Sequence, residues 1–306
     1  MTSSDRPPTL DPVAAARWAI GPAPVVQGSA WLHEEIAARM RDRLDYIRLQ
    51  PQRWLHWEPL RGGLQAHRDL LARYPKAQVW LQAGQPDEVR RVLQATRDPW
   101  WRWSRWRSGT RAQAGLPPQG MVQMVWSNMA LHLAPDPGAL LATWHALLEV
   151  DGFLMFSCFG PDTLMELRAL YAGLGWPAPA QEFTDMHDWG DMLVQAGFAE
   201  PVMDMERITL TYETPERLLA ELRELGRNLH PGRFAGLRGR GWLKRLHLAL
   251  QGLARPDQAG RLCLSFEVIY GHALKPAPRP RLQARTEIGL TDMRQMLGRK
   301  PQAHRP

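Results

Sequence analysis

Apolar positions along the chain fall into two periods. Short dense runs at 53–57, 77–81 (AQVWL), 121–126 (MVQMVW) and 152–158 (GFLMFSC) are too short for helices. Their bulk predicts strands buried on both faces. Helical spacing fills the intervals. Ile36, Met40, Leu44 and Ile47 follow Ser29, which is placed to cap a helix running to about Tyr46. Leu64, Leu71 and Tyr74 form a stripe that Pro75 ends, and Val89, Val92 and Leu93 follow Pro86 at a first helical position. Asp136-Pro137 opens a helix to about residue 148, and 161–173 and 184–197 read as two more, the second stopped by Gly197. Further on, Ile208, Leu210 and Tyr212 alternate as a half-buried strand. Thr214-Pro215-Glu216 then starts a helix, a basic helix is expected at about 241–253, and Leu262 to Tyr270 alternate strongly. Residues 1–28, rich in Pro, Ala and Ser, read as loosely ordered, and 97–120 shows no clear period.

Strands alternating with helices imply a parallel sheet covered on both faces, with ligands at the carboxyl ends of the strands near the topological switch point. Two late strands flank a helical insertion at about 214–256. The chain then divides into a leading segment 1–28, a domain at 29–274 and a basic tail at 275–306 expected to be largely disordered.

Composition narrows the picture. With 306 residues, 44% hydrophobic and 23% charged, this is an ordinary globular composition that needs no disulfide or metal staple. The formal charge is +7, but the tail from Lys275 onward holds eight basic and two acidic residues and so carries +6 of it. The body is near neutral, which gives little support to a nucleic-acid partner. Cys158 and Cys263 make neither a disulfide framework nor a metal site. The N-terminus lacks the apolar core of a signal peptide, and the longest apolar stretch, 152–160, is about half of a membrane span. A cytoplasmic protein without membrane contact is expected.

The segment SNMALHLAPDPGALLATWHALLEVDGFLMFSCFGPDTLMELR, residues 127–168, resembles the malonyl-acyl-carrier-protein O-methyltransferases of biotin synthesis. RMRDRLDYIRLQPQR (39–53), FEVIYGHALKP (266–276) and LRELGRNLHPGR (222–233) resemble the same family, in the same order. The resemblance implies the Rossmann-like class I methyltransferase sheet, seven strands with the last antiparallel, and a helical insertion before the last strand. It also implies methyl transfer from S-adenosylmethionine to the free carboxylate of a malonyl thioester carried by acyl carrier protein.

The family's glycine-rich first loop falls on 55–62, where its acid is His56, two of its glycines are Glu58 and Leu60, and Gly62 alone is kept. Near Ala83, after the second strand, no acid stands. The third acid's segment reads SGTRAQ (108–113), and Gln123 stands where an acid is expected in the fourth strand. Trp54, Trp57 and Trp80 crowd the same region. These replacements predict a pocket occluded by bulky residues, and with it an alternative in which the chain is a non-catalytic homologue that binds no cofactor and acts as a binding or regulatory protein. If the cofactor does bind, Gly62, Ser127 and Asn128 are its expected neighbours.

Arg168, Arg227 and His230 are candidates for a substrate carboxylate, because a guanidinium pairs with it bidentately. The run Arg233, Arg238, Arg240, Lys244 and Arg245 has no acid between its members and suits an acidic acyl carrier protein. Trp100, Trp101, Trp103 and Trp106, interleaved with Arg102, Arg105 and Arg107, suggest packing over a sheet edge, with nucleic-acid stacking as the competing reading.

Overall fold

The computed structural model describes residues 10–24, 28–96, 111–234 and 236–278. The Trp100–Trp106 cluster and the tail beyond residue 278 lie outside these. The chain divides into a unit at 1–276, to which the helices and strands belong, and a second at 277–306.

The helices in chain order are α1 (Pro12–Ile20), α2 (Trp31–Asp42), α3 (Pro59–Gly62), α4 (Leu64–Arg73), α5 (Pro86–Ala95), α6 (Pro137–Leu147), α7 (Met165–Gly173), α8 (Met186–Gln195), α9 (Pro215–Leu225) and α10 (Arg240–Gln251). The strands are β1 (Arg53–Trp57), β2 (Gln78–Gln82), β3 (Arg111–Ala114), β4 (Val122–Ser127), β5 (Leu148–Phe159), β6 (Ala199–Tyr212), β7 (Ala254–Arg255) and β8 (Arg261–Leu274). The seven-strand path runs β3-β2-β1-β4-β5-β8-β6, and the two-residue β7 adds to the start of β8. β1 pairs in parallel with both β2 and β4, while β8 runs antiparallel between β5 and β6. The chain order reverses at β1/β4, so the crevice beyond the ends of those strands is the switch point.

Side chains alternate across the sheet with period two. Trp54, Val79, Met124, Trp126, Phe153 and Met155 pack into one core with Ile36 and Met40 of α2 and Leu70 of α4. Leu55, Trp80, Val125, Leu154 and Phe156 face the other way against Trp144 of α6 and Trp189 of α8. Trp54 and Trp80 thus lie on opposite faces of the sheet.

Three expectations are corrected. Residues 12–20, expected to be loosely ordered, form α1, because the Asp11 carboxylate accepts from Ala14 N at 2.7 Å and Pro12 opens the helix. Ser29 does not cap the helix that follows it. Its hydroxyl donates to Leu60 O (2.7 Å) and accepts from Leu64 N (2.8 Å), at the start of α4. Within 97–120, β3 pairs in parallel with β2, a strand too short and too polar (RAQA) to show a period. No helix among the described residues is long and apolar enough to cross a membrane.

Candidate functional site at the strand ends

Beyond β1, β2 and β4 lies a pocket of about 440 Å³, lined by Trp18 and Ala19 of α1, Trp57, Glu58, Arg61, Gln82 and Gly84, and by 128–130, 133–136 and Leu140. The expected occlusion is absent, for a local reason. Glu58 adopts a left-handed conformation (φ 53°) directly after β1, and Pro59 starts the four-residue α3. The turn rotates Leu60 into the core, where it is 3% exposed, instead of into the crevice. Trp54 and Trp80 are buried in the two cores, and of the three tryptophans Trp57 alone lines the pocket.

The rim is held by charge. Arg61 Nη2 contacts the Glu88 carboxylate at 2.9 Å, and its Nε reaches both Glu88 oxygens at 3.1 and 3.2 Å. Its Nη1 and Nη2 also donate to Trp18 O (3.0 Å) and Gly21 O (2.7 Å), with the guanidinium 4.8 Å from the Trp18 ring. Glu88 is 1% exposed, so this is a buried, fully engaged ion pair. The end of α1 rests on the loop after β2, where a Cβ on Gly84 would stand 2.6 Å from Ala19 O. At its other end Asp11 pairs with Arg233 at 2.5 Å, and Asp11 N donates to Leu229 O. α1 therefore ties the pocket rim to the insertion.

Glu58 N donates to Gln82 O (2.7 Å), and Glu58 Oε1 accepts from Gly84 N (2.8 Å). Its Oε2 is buried without a hydrogen-bond donor, 3.6 Å from Arg61 Nε. Burial, with Glu88 nearby, pushes the Glu58 carboxyl up to about 7 against the opposing pull of Arg61 and Gly84 N.

The expected cofactor neighbours separate. Asn128 lines the pocket, but its amide is committed: Nδ2 donates to His33 O (2.8 Å) and to Gly62 O, and Oδ1 accepts from Ser157 Oγ (2.5 Å). Gly62 lies behind it, with an ideal Cβ 2.6 Å from Asn128 O. Ser127 is fully buried and does not line the pocket. His56, at the family's acid position, is fully buried, its Nδ1 3.0 Å from His67 Nδ1. Burial holds His67 down to about 3 and His56 well below its ordinary value, so both are neutral. Gln123 is remote from the crevice. It sits at the start of β4 and accepts from Gln52 N (2.6 Å) at the amino end of β1.

A second, smaller cavity of about 110 Å³ shares Leu133 with the first, and is lined by His132, Phe159, Thr163, Phe183, Arg227, Asn228 and neighbours. Arg227 donates to Arg223 O (2.8 Å) and Gly226 O (3.0 Å), and its side chain remains largely exposed at the cavity. Arg168 and His230 do not line this cavity. Arg168 clamps the turn at Pro161 O and Thr163 O, and His230 Nδ1 accepts from Gly232 N. In the basic run Arg233 is paired with Asp11, and Arg238 is stacked between Phe234 (4.4 Å) and Trp242 (4.0 Å). Arg240, Lys244 and Arg245 are exposed on α10. Among the described residues no group of three or more His, Cys, Asp or Glu could hold a metal ion.

Sequence reasoning did not foresee Glu58, Arg61 and Trp18 as pocket residues. The available signal was a single acid followed by proline immediately after a strand.

A parallel sheet of order 3-2-1-4-5, extended by an antiparallel strand and carrying a crevice at its switch point, defines the chain as a class I methyltransferase fold. Solved structures agree on the fold. A putative methyltransferase from Bacillus halodurans superposes with a TM-score of 0.51 at 13% identity, covering 79% of this chain and 100% of that one. The YcgJ protein of Bacillus subtilis gives 0.51 at 11% identity, covering 79% and 99%. No family model matches the chain. Among curated proteins, the malonyl-[acyl-carrier protein] O-methyltransferase of Laribacter hongkongensis is 43% identical over 266 residues, 83% of this chain and 86% of the relative. That of Gallionella capsiferriformans is 42% identical over 261 residues, 82% and 86%. The chain belongs to the malonyl-[acyl-carrier protein] O-methyltransferase family.

Proposed function

We propose that this chain transfers a methyl group from S-adenosylmethionine to the free carboxylate of malonyl-acyl carrier protein, the step that its relatives' names describe and that the resemblance places in biotin synthesis. The observation that carries the reading is the open 440 Å³ strand-end pocket, which shares the lining residue Leu133 with a neighbouring cavity bearing Arg227.

The residues present fit such a cofactor, although they are not the family's usual ones. Trp18 and Trp57 line the pocket with aromatic surface, and Glu58 brings a carboxylate to its wall. Asn128 borders the ligand, while Gly62 and Ser127 support that wall from behind. When bound, S-adenosylmethionine supplies an electrophilic methyl group.

The chain's own contribution is positioning and exclusion of water. A malonyl carboxylate is ionised at neutral pH and is its own nucleophile, so no general base is required. In this reading Arg227 holds that carboxylate, and Phe159, Phe183 and Leu133 give the cavity apolar walls. Arg168 acts through the 161–163 turn, and His230 through the turn at Gly232. Arg240, Lys244 and Arg245, exposed on α10, suit the acidic surface of an acyl carrier protein, with Arg238 fixed beside them and Arg233 anchoring α1. A cytoplasmic location accompanies this reading.

The test is direct. Purified protein incubated with malonyl-acyl carrier protein and methyl-labelled S-adenosylmethionine should yield the malonyl methyl ester by mass spectrometry. Arg227→Ala should raise KM for the malonyl thioester about tenfold or more, the cost of a lost charged contact. Absence of ester with the wild-type protein would overturn the proposal.

A further inference from the structure

An open α/β crevice that binds a nucleoside places an acid at the end of the second strand to receive the ribose hydroxyls. Here β2 ends in Gln82-Ala83-Gly84, and none of the three is acidic. A carboxylate nevertheless stands at that point in space. Glu58, one residue beyond β1, is held to the end of β2 twice, through its N–H to Gln82 O and through Gly84 N to its Oε1. Its left-handed backbone gives it this direction.

The second oxygen has the Arg61 Nε charge 3.6 Å away but no hydrogen-bond donor. Oε2 is buried and lacks a donor, and the neighbouring Arg61 has committed its guanidinium to Glu88, Trp18 O and Gly21 O. A carboxylate oxygen left without a donor in a buried place is costly, and a ligand hydroxyl would relieve that cost.

We infer that Glu58 is the ribose-binding carboxylate of this chain, a turn of its side chain within the pocket wall presenting Oε2 to a vicinal hydroxyl of the nucleoside in the strand-end pocket. The inference rests on the methyltransferase reading and assigns one of its contacts to a residue that, in the resembling family, is a glycine.

Charge makes the assignment measurable. The charged groups facing Glu58 are Arg61 from α3 and Glu88 from α5. Asp136 lies across the pocket, and α1 contributes only Trp18 and Ala19. Free Glu58 titrates near 7, and a hydroxyl that donates to it favours its ionised form. Affinity therefore rises with pH through that value and levels off above it, and binding below it releases a proton.

The experiment is calorimetry of S-adenosylhomocysteine and its 2′-deoxy analogue, at about pH 6 and about pH 8, in two buffers of different ionisation heat. Wild-type protein should bind S-adenosylhomocysteine more tightly at the higher pH, with buffer-dependent heat at the lower. Glu58→Gln, which keeps the acceptor for Gly84 N, should bind it about 10- to 100-fold more weakly and without pH dependence. The deoxy analogue should lose a similar factor against wild type and be indifferent to the substitution. Equal affinity of Glu58→Gln, or persistence of its pH dependence, overturns the assignment while leaving the methyltransferase reading intact. If wild-type protein binds S-adenosylhomocysteine at neither pH, both fall. The analogue and buffer comparisons use wild-type protein alone, and a wild-type affinity that is independent of pH and of the 2′-hydroxyl overturns the assignment by itself.

Discussion

Replacing Arg61 by leucine should destabilise the protein by about 3–5 kcal/mol, mostly through the residue left behind. Glu88 is 1% exposed and takes its strong donors from the guanidinium, so the substitution strands a buried carboxylate. The contacts to Trp18 O and Gly21 O are lost as well, but water reaches those carbonyls more easily, and their loss adds roughly 1 kcal/mol. Removing the charge as well should reverse most of the damage. Arg61→Leu/Glu88→Leu should lie within about 2 kcal/mol of wild type, which gives a double-mutant coupling of at least about 1–3 kcal/mol even if Glu88→Leu alone is neutral. The assay is equilibrium urea denaturation followed by far-UV circular dichroism, repeated at high salt. A buried pair is weakly screened, so the coupling should survive salt. Calorimetric midpoints should fall by about 2–4 °C per kcal/mol for a domain of this size. A cost below about 1 kcal/mol for Arg61→Leu, or no recovery in the double variant, would refute the view that the guanidinium holds Glu88 in the core.

Three further outcomes are expected. His33 and His132 are buried and held down to about 4 and about 3, so the unfolded chain binds protons that the folded chain refuses. Stability should thus be fully present above about pH 6.5 and decline as pH falls from there towards those values. His132→Phe, which keeps the ring contacts with Phe159 and Phe183, should flatten the slope of stability against pH by up to about 1.4 kcal/mol per unit. An unchanged slope would exclude His132 as a contributor. Gly62→Ala should cost about 1–3 kcal/mol in urea melts, because its Cβ would meet the Asn128 backbone oxygen at 2.6 Å, an atom that cannot swing aside; a neutral result would contradict that contact. Reversing Arg240, Lys244 and Arg245 to glutamate should slow association with acyl carrier protein at low salt in surface plasmon resonance, while association rates equal to wild type would remove α10 from the docking face.

Much of the fold is legible in the sequence, because it depends on local pattern. β1 matches the expected 53–57, the caps at Asp136 and Thr214 accept from Ala139 N and Arg217 N as their sequences suggest, and β8 follows the strongest alternation. α1 is not legible. Its nine residues are too few to hold a helix alone, and Arg61 and Arg233 secure it from far along the chain. The pocket is misread for a related reason. Large residues at glycine positions occlude a loop only if the loop keeps its path, and Pro59 with a left-handed Glu58 changes that path, turning Leu60 inward. The acid missing from β2 is absent in sequence but not in space, a substitution that only the register of β1 against β2 makes visible.

The commitments of Asn128 also bear on how the chain folds. Its amide joins positions 95, 66 and 29 residues away, bringing α2, α3 and β5 to one point. Closing three such loops carries entropy that a single polar group cannot offset early, so the junction is expected to complete after the sheet has assembled. Interactions that form after the transition state govern how slowly a native protein opens. The residue that borders the ligand pocket is thereby expected to act as a late lock, so that Asn128→Ala should speed unfolding more than it slows refolding.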